Sequence, residues 1–176
     1  MTTVSAPSSG IQVLAYTDGG CRGNPGPGGW GFALLHLPTG TTLVQRGGEP
    51  HTTNNRMEYT AALRVLQALK DGSHVEIRTD SRLLVQTVTQ WMAGWKRRGW
   101  KKGDKKPVAN LDLVQALDAE LQRVHAQFTW VKGHAGEPGN ELADSLTNDA
   151  MDALAAGLDP EHAERRDSLP FAVGRP

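Results

Sequence analysis

A single cysteine, Cys21, stands among 176 residues, which excludes an internal disulfide and leaves no thiolate set for zinc. No apolar run is long enough to span a bilayer. The opening segment MTTVSAPSSG has neither the basic nor the apolar region of a secretion signal, so a soluble, cytoplasmic protein of a reducing compartment is expected. Net charge is missing too: 19 Lys and Arg balance 19 Asp and Glu, so overall electrostatics announce no nucleic-acid partner. There is no internal repeat. The turn GGCRGNPGPGG lacks the Gly-Lys-Ser/Thr of a triphosphate-binding loop. What is present is enough length for one domain with a real core.

Apolar patterning divides the chain. Ile11 to Asp18 has both faces partly apolar and reads as a buried strand ending at Asp18. Trp30 to Leu37 and Thr41 to Gly48, joined by Pro38-Thr39-Gly40, read as a hairpin, so the first three strands are expected to be antiparallel. Asn54 to Lys70 is free of Gly and Pro and carries Ala62, Leu66 and Leu69 at helical spacing. A short strand is expected over Val75 to Asp80 and helical segments over Ser81 to Thr89 and Trp91 to Arg98. A basic loop should then run from Gly99 to Pro107. Leu111 to Val124 presents Val114, Leu117, Leu121 and Val124 as a helical stripe. Phe128 to Val131 reads as a strand, and Pro138 suits the first turn of a last helix running to Ala155. A hairpin followed by alternating strands and helices implies an α/β domain over residues 11–156, a mixed sheet with helices on both faces. Residues 1–10 and 157–176 are expected to be loosely ordered tails.

Four acids fall at the edges of these elements. Asp18 and Asp80 end strands, Glu58 lies near the start of the first long helix, and Asp144 lies on the last one. Ligands of open α/β sheets gather at strand ends where the topology switches, so these four could converge. Converging carboxylates repel and lose hydration, and a hard cation relieves both. Oxygen-only ligands suit Mg²⁺ or Mn²⁺, and two such ions ~4 Å apart can clamp the attacking and leaving oxygens of a phosphodiester. Taken one at a time, Asp18 and Asp80 could equally cap turns, Glu58 could be solvated, and Asp144 could pair with a neighbour.

The strings TDGGCRGNPGPGGWG, TTNNRMEYTAAL, TDSRLLVQTVTQW and WVKGHAGEPGNELAD follow one another between about Val13 and Ala150. In sequence and order they resemble the signature blocks of the type 1 ribonucleases H of bacteria. The resemblance implies a ribonuclease H-like fold with a five-stranded mixed sheet in the order 3-2-1-4-5. It also implies hydrolysis of the RNA strand of RNA–DNA hybrids, leaving 5′-phosphate and 3′-hydroxyl ends. Asp18, Glu58, Asp80 and Asp144 match the family's metal-binding acids, which hold two Mg²⁺ ions, with Mn²⁺ a possible substitute. By the same match Asp18 would bridge both ions, Asp144 would serve the ion of the nucleophilic water, and Glu58 and Asp80 would serve that of the leaving oxygen. His134, flanked by Gly133 and Ala135, matches the mobile catalytic histidine, a group able to relay a proton near neutral pH. Without the match, a surface loop histidine would be the simpler reading.

The resemblance also implies substrate contacts. Cys21 and Asn24 would touch the hybrid near RNA 2′-hydroxyls, and Thr53, Asn54 and Asn55 would contact backbone or minor groove. Shape and 2′-hydroxyl contacts of this kind need no base code. Arg82 stands where many relatives carry Gln, and Gly20 where Ser is common. A basic protrusion is expected over about residues 91–107. There Lys96, Arg97, Arg98, Lys101, Lys102, Lys105 and Lys106 are opposed only by Asp104, a phosphate-binding density of charge. Trp91, Trp95 and Trp100 interleave with it. Packing of the protrusion is favoured for Trp91 and Trp95 over base stacking, since a duplex offers no unstacked bases.

Two other readings compete. A junction resolvase or transposase core would share the fold but not the TTNNRME and GNPGPGG blocks. A hybrid-binding module without catalysis would not require all four acids. The partner expected is thus an RNA–DNA hybrid, met by a monomer with no membrane attachment.

Overall fold

The computed structural model describes residues 2–175; Met1 and Pro176, the outermost residues of the two expected tails, lie outside them. In chain order the elements are β1 (Thr2–Val4), β2 (Val13–Cys21), β3 (Gly26–His36), β4 (Thr41–Thr52), α1 (Asn54–Gln67), β5 (His74–Thr79) and α2 (Arg82–Gln86). A π-helical turn over Thr87–Trp91 leads into α3 (Met92–Arg97). There follow α4 (Leu111–Leu121), β6 (His125–Trp130), α5 (Pro138–Ala155), β7 (His162–Arg166) and β8 (Phe171–Val173).

The main sheet has six strands in the order β6-β5-β2-β3-β4-β7. β2, β3 and β4 are antiparallel, and β5 and β6 run parallel to β2. The expected five-stranded order is therefore present, with β7 added antiparallel on β4. Helices cover both faces. On one, α1 packs Met57, Ala61, Val65 and Leu66 against Val13, Ala15, Phe32 and Ile77, with Val114 and Leu117 of α4 in the same cluster. On the other, Ala143 and Leu146 of α5 meet Leu14, Tyr16, Ala33 and Val44. α1 begins where Thr53 accepts from the Arg56 backbone N–H at 3.2 Å. α5 begins where Glu137 accepts from Gly139 N–H at 3.2 Å, with Pro138 in the first turn.

Three expectations need correction. The terminal segments are not loose tails: β1 pairs in parallel with β8, and Val4, Leu169 and Phe171 are buried in the α5-side core. Burial of these side chains offsets the entropy of ordering the ends, which polar composition around them conceals. Asp18 does not end its strand, because β2 continues to Cys21 paired with Gly28. The two short helices after Asp80 are one bent run, joined through the π turn where buried Thr87 meets the Tyr59 hydroxyl at 2.8 Å. Among the described residues no helix is long and apolar enough to cross a membrane.

Candidate active site

Three carboxylates meet where β2, β5 and α1 come together. Asp18, Glu58 and Asp80 each present an oxygen within 4.8 Å of the others. The approach depends on Gly19. A Cβ there would lie 2.6 Å from the Glu58 backbone nitrogen, so only glycine lets the first turn of α1 close on β2. The Gly19 backbone beside them has a small lowering influence on both the Asp18 and the Glu58 carboxyls. Asp144, on α5, lies near enough for its charge to raise Asp18 but stands outside the tight group of three.

The electrostatics of this cluster are one-sided. Burial, then the charges of Asp80 and Asp144, push Asp18 up to about 8. Burial, then Asp18 and Asp80, raise Glu58 well above the usual carboxylate range. The charged groups acting most strongly on both are other carboxylates, and the buried Glu58 Oε2 has no hydrogen-bond partner. Such a donor set fits a hard divalent cation, which would neutralise the repulsion and take up the orphaned oxygen.

The remaining candidates are placed less uniformly. His134 is exposed in the loop between β6 and α5, with left-handed backbone at φ 55°, and no contact among the described residues joins its ring to the carboxylates. The loop nevertheless runs past them, for a Cβ at Gly133 would lie 2.7 Å from Asp80 Oδ2. Cys21, Asn24, Thr53 and Asn54 interlock. Cys21 N–H donates to Asn54 Oδ1 at 2.8 Å, Asn54 N–H donates to Asn24 Oδ1 at 3.2 Å, and the Thr53 hydroxyl caps α1. These side chains hold the β2–β3 turn against α1 before any ligand arrives, while Asn55 is exposed beside them. The Arg82 guanidinium sits over the exposed Trp130 ring, 4.2 Å from its centroid, and Trp130 Nε1 donates to the Asp80 carbonyl at 3.1 Å, so this guanidinium is displayed beside the acids.

The basic segment is folded rather than splayed. Trp100 N–H donates to Trp95 O at 2.7 Å, and Lys101 bridges to Pro107. Trp95 and Trp100 pack on the main core, and Trp91 leans on Trp95 at 5.8 Å with its outer face exposed. Lys96 is drawn into an ion pair with Asp118 of α4 at 2.9 Å, and Arg98 Nε donates to the Lys101 carbonyl at 3.3 Å. Arg97 and Lys101 have exposed side chains, and Lys102, half-buried, stands 4.0 Å from Asp104.

The residues that patterning passed over are buried partners of this site: Gly19, and the pair Tyr16 and Arg78 one rung below Asp18 and Asp80. The signal available was an arginine two residues before Asp80 in a strand between covered faces.

Comparison with known proteins gives the family. The family model described as RNase H matches residues 11–152. The chain is 54% identical over 143 residues to a Ribonuclease H of Alcanivorax borkumensis, covering 81% of this chain and 93% of that one. Among solved structures it is similar to LC9-RNase H1, a type 1 RNase H with the type 2 active-site motif. That likeness has a TM-score of 0.72 at 28% identity and covers 100% of this chain and 99% of the other. It is also similar to LC11-RNase H1, solved in complex with an RNA/DNA hybrid, with a TM-score of 0.61 at 30% identity over 81% of this chain and 99% of that one. Matched over most of its length by the family and at half identity by a bacterial relative, the chain belongs to the RNase H family.

Proposed function

We propose that this protein is an endonuclease that hydrolyses the RNA strand of RNA–DNA hybrids by two-metal-ion catalysis, leaving 5′-phosphate and 3′-hydroxyl ends. The observation that carries the reading is the crowded, uncompensated group of buried Asp18 with half-buried Glu58 and Asp80, and Asp144 near Asp18. These four would hold Mg²⁺, with Mn²⁺ as a substitute. When bound, the ions activate a water and stabilise the leaving oxygen of a phosphodiester.

The chain's own residues supply the rest. His134, on a loop whose neighbour Gly133 already borders Asp80, would accept or relay a proton at a ring nitrogen. Cys21, Asn24, Thr53, Asn54 and Asn55 form a rigid rim suited to 2′-hydroxyls and backbone, the features by which A-like duplexes are told apart. Arg82, held over Trp130, would meet a phosphate beside the cut. Arg97, Arg98, Lys101 and Lys102 would neutralise phosphates further along, and Lys96 would do so in exchange for its Asp118 partner. Action as a monomer in the cytoplasm belongs to the same reading, and free Cys21 suits a reducing compartment.

The test is cleavage of labelled RNA–DNA, RNA–RNA and DNA–DNA duplexes with Mg²⁺. Cuts confined to the RNA of the hybrid, with 5′-phosphate ends, are expected. Equal cutting of RNA–RNA, or none of the hybrid, would overturn the assignment.

A further inference from the structure

Tyr16 and Arg78 face each other in register on β2 and β5, two residues before Asp18 and Asp80. Side chains two apart on a strand share a face, so this pair forms the rung beneath the carboxylates. Both are buried, and the hydrolytic reading above uses neither. Arg78 Nη1 donates to the Tyr16 hydroxyl at 2.8 Å, Nε to Glu76 Oε2 at 2.7 Å, and Nη2 to the Ser5 carbonyl at 2.7 Å. A planar guanidinium committed to three directions fixes the phenol oxygen in place.

The Tyr16 ring meets the start of α5. A Cβ at Gly139 would overlap the ring, so helix backbone and phenol are in direct contact. Glu137, whose Oε1 accepts from Gly139 N–H, stands beside the Tyr16 hydroxyl. The hydroxyl accepts from Arg78, which fixes the ring that meets Gly139. On another side the ring packs edge-on to Phe171 at 5.5 Å. Glu137 is also the last residue before α5, so it ends the loop that carries His134 and opens the helix that carries Asp144.

We propose that Tyr16 is a positioning residue for the cleavage reaction: anchored by Arg78, its ring pins Gly139, which Glu137 caps, at the start of α5 and so sets the His134 loop and Asp144 relative to Asp18 and Asp80. This rests on the hydrolytic reading above. The hydroxyl matters beyond the ring, because phenylalanine would keep the packing on Gly139 and Phe171 while leaving Arg78 Nη1 unpaired and the ring without its anchor.

The experiment compares full-length Tyr16→Phe, Glu137→Ala, Glu137→Gln and the Tyr16→Phe/Glu137→Ala double variant in hybrid cleavage with Mg²⁺, at temperatures where each is folded. Tyr16→Phe lowers kcat ~10- to 100-fold, the scale of a small misplacement, with KM within about 2-fold. Glu137→Ala does the same, Glu137→Gln recovers most of what Glu137→Ala loses, and the double variant is no worse than either single one. A second readout needs no activity: trypsin cutting after Lys132, exposed in the same loop, followed by mass spectrometry on metal-free protein. Tyr16→Phe and Glu137→Ala speed that cut. Folded Tyr16→Phe with unchanged kcat and unchanged Lys132 cutting would overturn the proposal, as would multiplicative losses in the double variant. Should Tyr16→Phe fail to fold, Glu137→Ala and Glu137→Gln decide by the same measures. A wild type that leaves hybrid intact would sink the hydrolytic reading, while Lys132 cutting would still decide whether Tyr16 pins the loop.

Discussion

Two adjacent rungs of β2 and β5 treat buried charge in opposite ways. On the lower rung, Arg78 and Glu76 neutralise each other at 2.7 Å, and the Tyr16 hydroxyl and Ser5 carbonyl take further donors. On the upper rung, Asp18 and Asp80 face like charge from Glu58 and Asp144, and a Glu58 oxygen goes unbonded. The lower layer and Asp18 are buried, while Glu58, Asp80 and Asp144 keep partial exposure. The lower one is complete within the protein; the upper one is complete only with cations added. Charge satisfaction is thus a property of each layer, and the unsatisfied layer marks where chemistry happens.

The most severe way to break the upper layer is Asp18→Asn. Cleavage falls ~1,000-fold or more, since one of the metal-holding charges is lost at the buried centre of the cluster. Hybrid binding persists in a gel-shift assay, and the metal-free protein gains about 1 kcal/mol as repulsion is relieved. Cleavage close to wild type would remove Asp18 from the site.

Breaking the lower layer should act on stability first. Arg78→Met leaves Glu76 buried without its partner and costs about 3–5 kcal/mol in urea unfolding. Glu76→Gln added to Arg78→Met restores part of the loss. A cost below about 1 kcal/mol for the single change would show that the layer is hydrated rather than compensated.

His134→Ala asks what reaches the upper layer from outside it. Turnover should drop ~10- to 1,000-fold with hybrid affinity kept, the range for proton transfer by a side chain. A loss as complete as that from Asp18→Asn would instead give His134 a place among the metal-holding groups.

Charges that are neither buried nor crowded sharpen the contrast further. Replacing Lys96, Arg97, Arg98, Lys101 and Lys102 by Ala should raise KM about 10-fold with kcat little changed. It should also flatten the salt dependence by about 0.7–0.9 per lost phosphate contact. Lys96→Ala alone should contribute least, because its ammonium already serves Asp118. An unchanged KM and an unchanged salt slope would make the segment a solvated loop.

The smallest effect is in pH. Asp18 moves from 3.8 to about 8 on folding without metal, so between those values the folded chain holds a proton that the unfolded chain has released. Stability of the metal-free protein therefore falls as pH rises from about 4 to about 8, by about 1–3 kcal/mol, and is flat in this respect above it. Asp18→Asn should make the slope shallower when the two proteins are unfolded in EDTA across that range, with Glu58, raised by burial as well, supplying what remains. A slope unchanged by the substitution would show that another group causes it.

Much of this was legible from residues alone. Apolar spacing located α1, α4 and α5, and the Pro-Thr-Gly turn located the β3–β4 hairpin, because these depend on neighbours within a few residues. The four acids stood out through the motifs around them. Glu76 and Arg78 did not. They alternate with Val75 and Ile77, a pattern that equally fits a solvent-facing row, and only the cover supplied by α5 and the terminal segments buries them. The terminal strands were hidden for a related reason. β1, β7 and β8 are short and polar around their anchors, and their pairing partners lie more than a hundred residues away in sequence.

By itself the sequence determined which groups could do chemistry: the four carboxylates, the histidine after Gly133, and the basic run. Those are matters of residue type and local spacing. Only the tertiary structure decided that Asp18, Glu58 and Asp80 crowd within 4.8 Å while Asp144 stands just outside. It also decided that Lys96 is paired with Asp118, and that a compensated layer lies directly beneath the uncompensated one. Distances and dielectric surroundings arise from contacts between remote segments, and it is burial by those segments that turns an ordinary carboxylate into one that needs a cation.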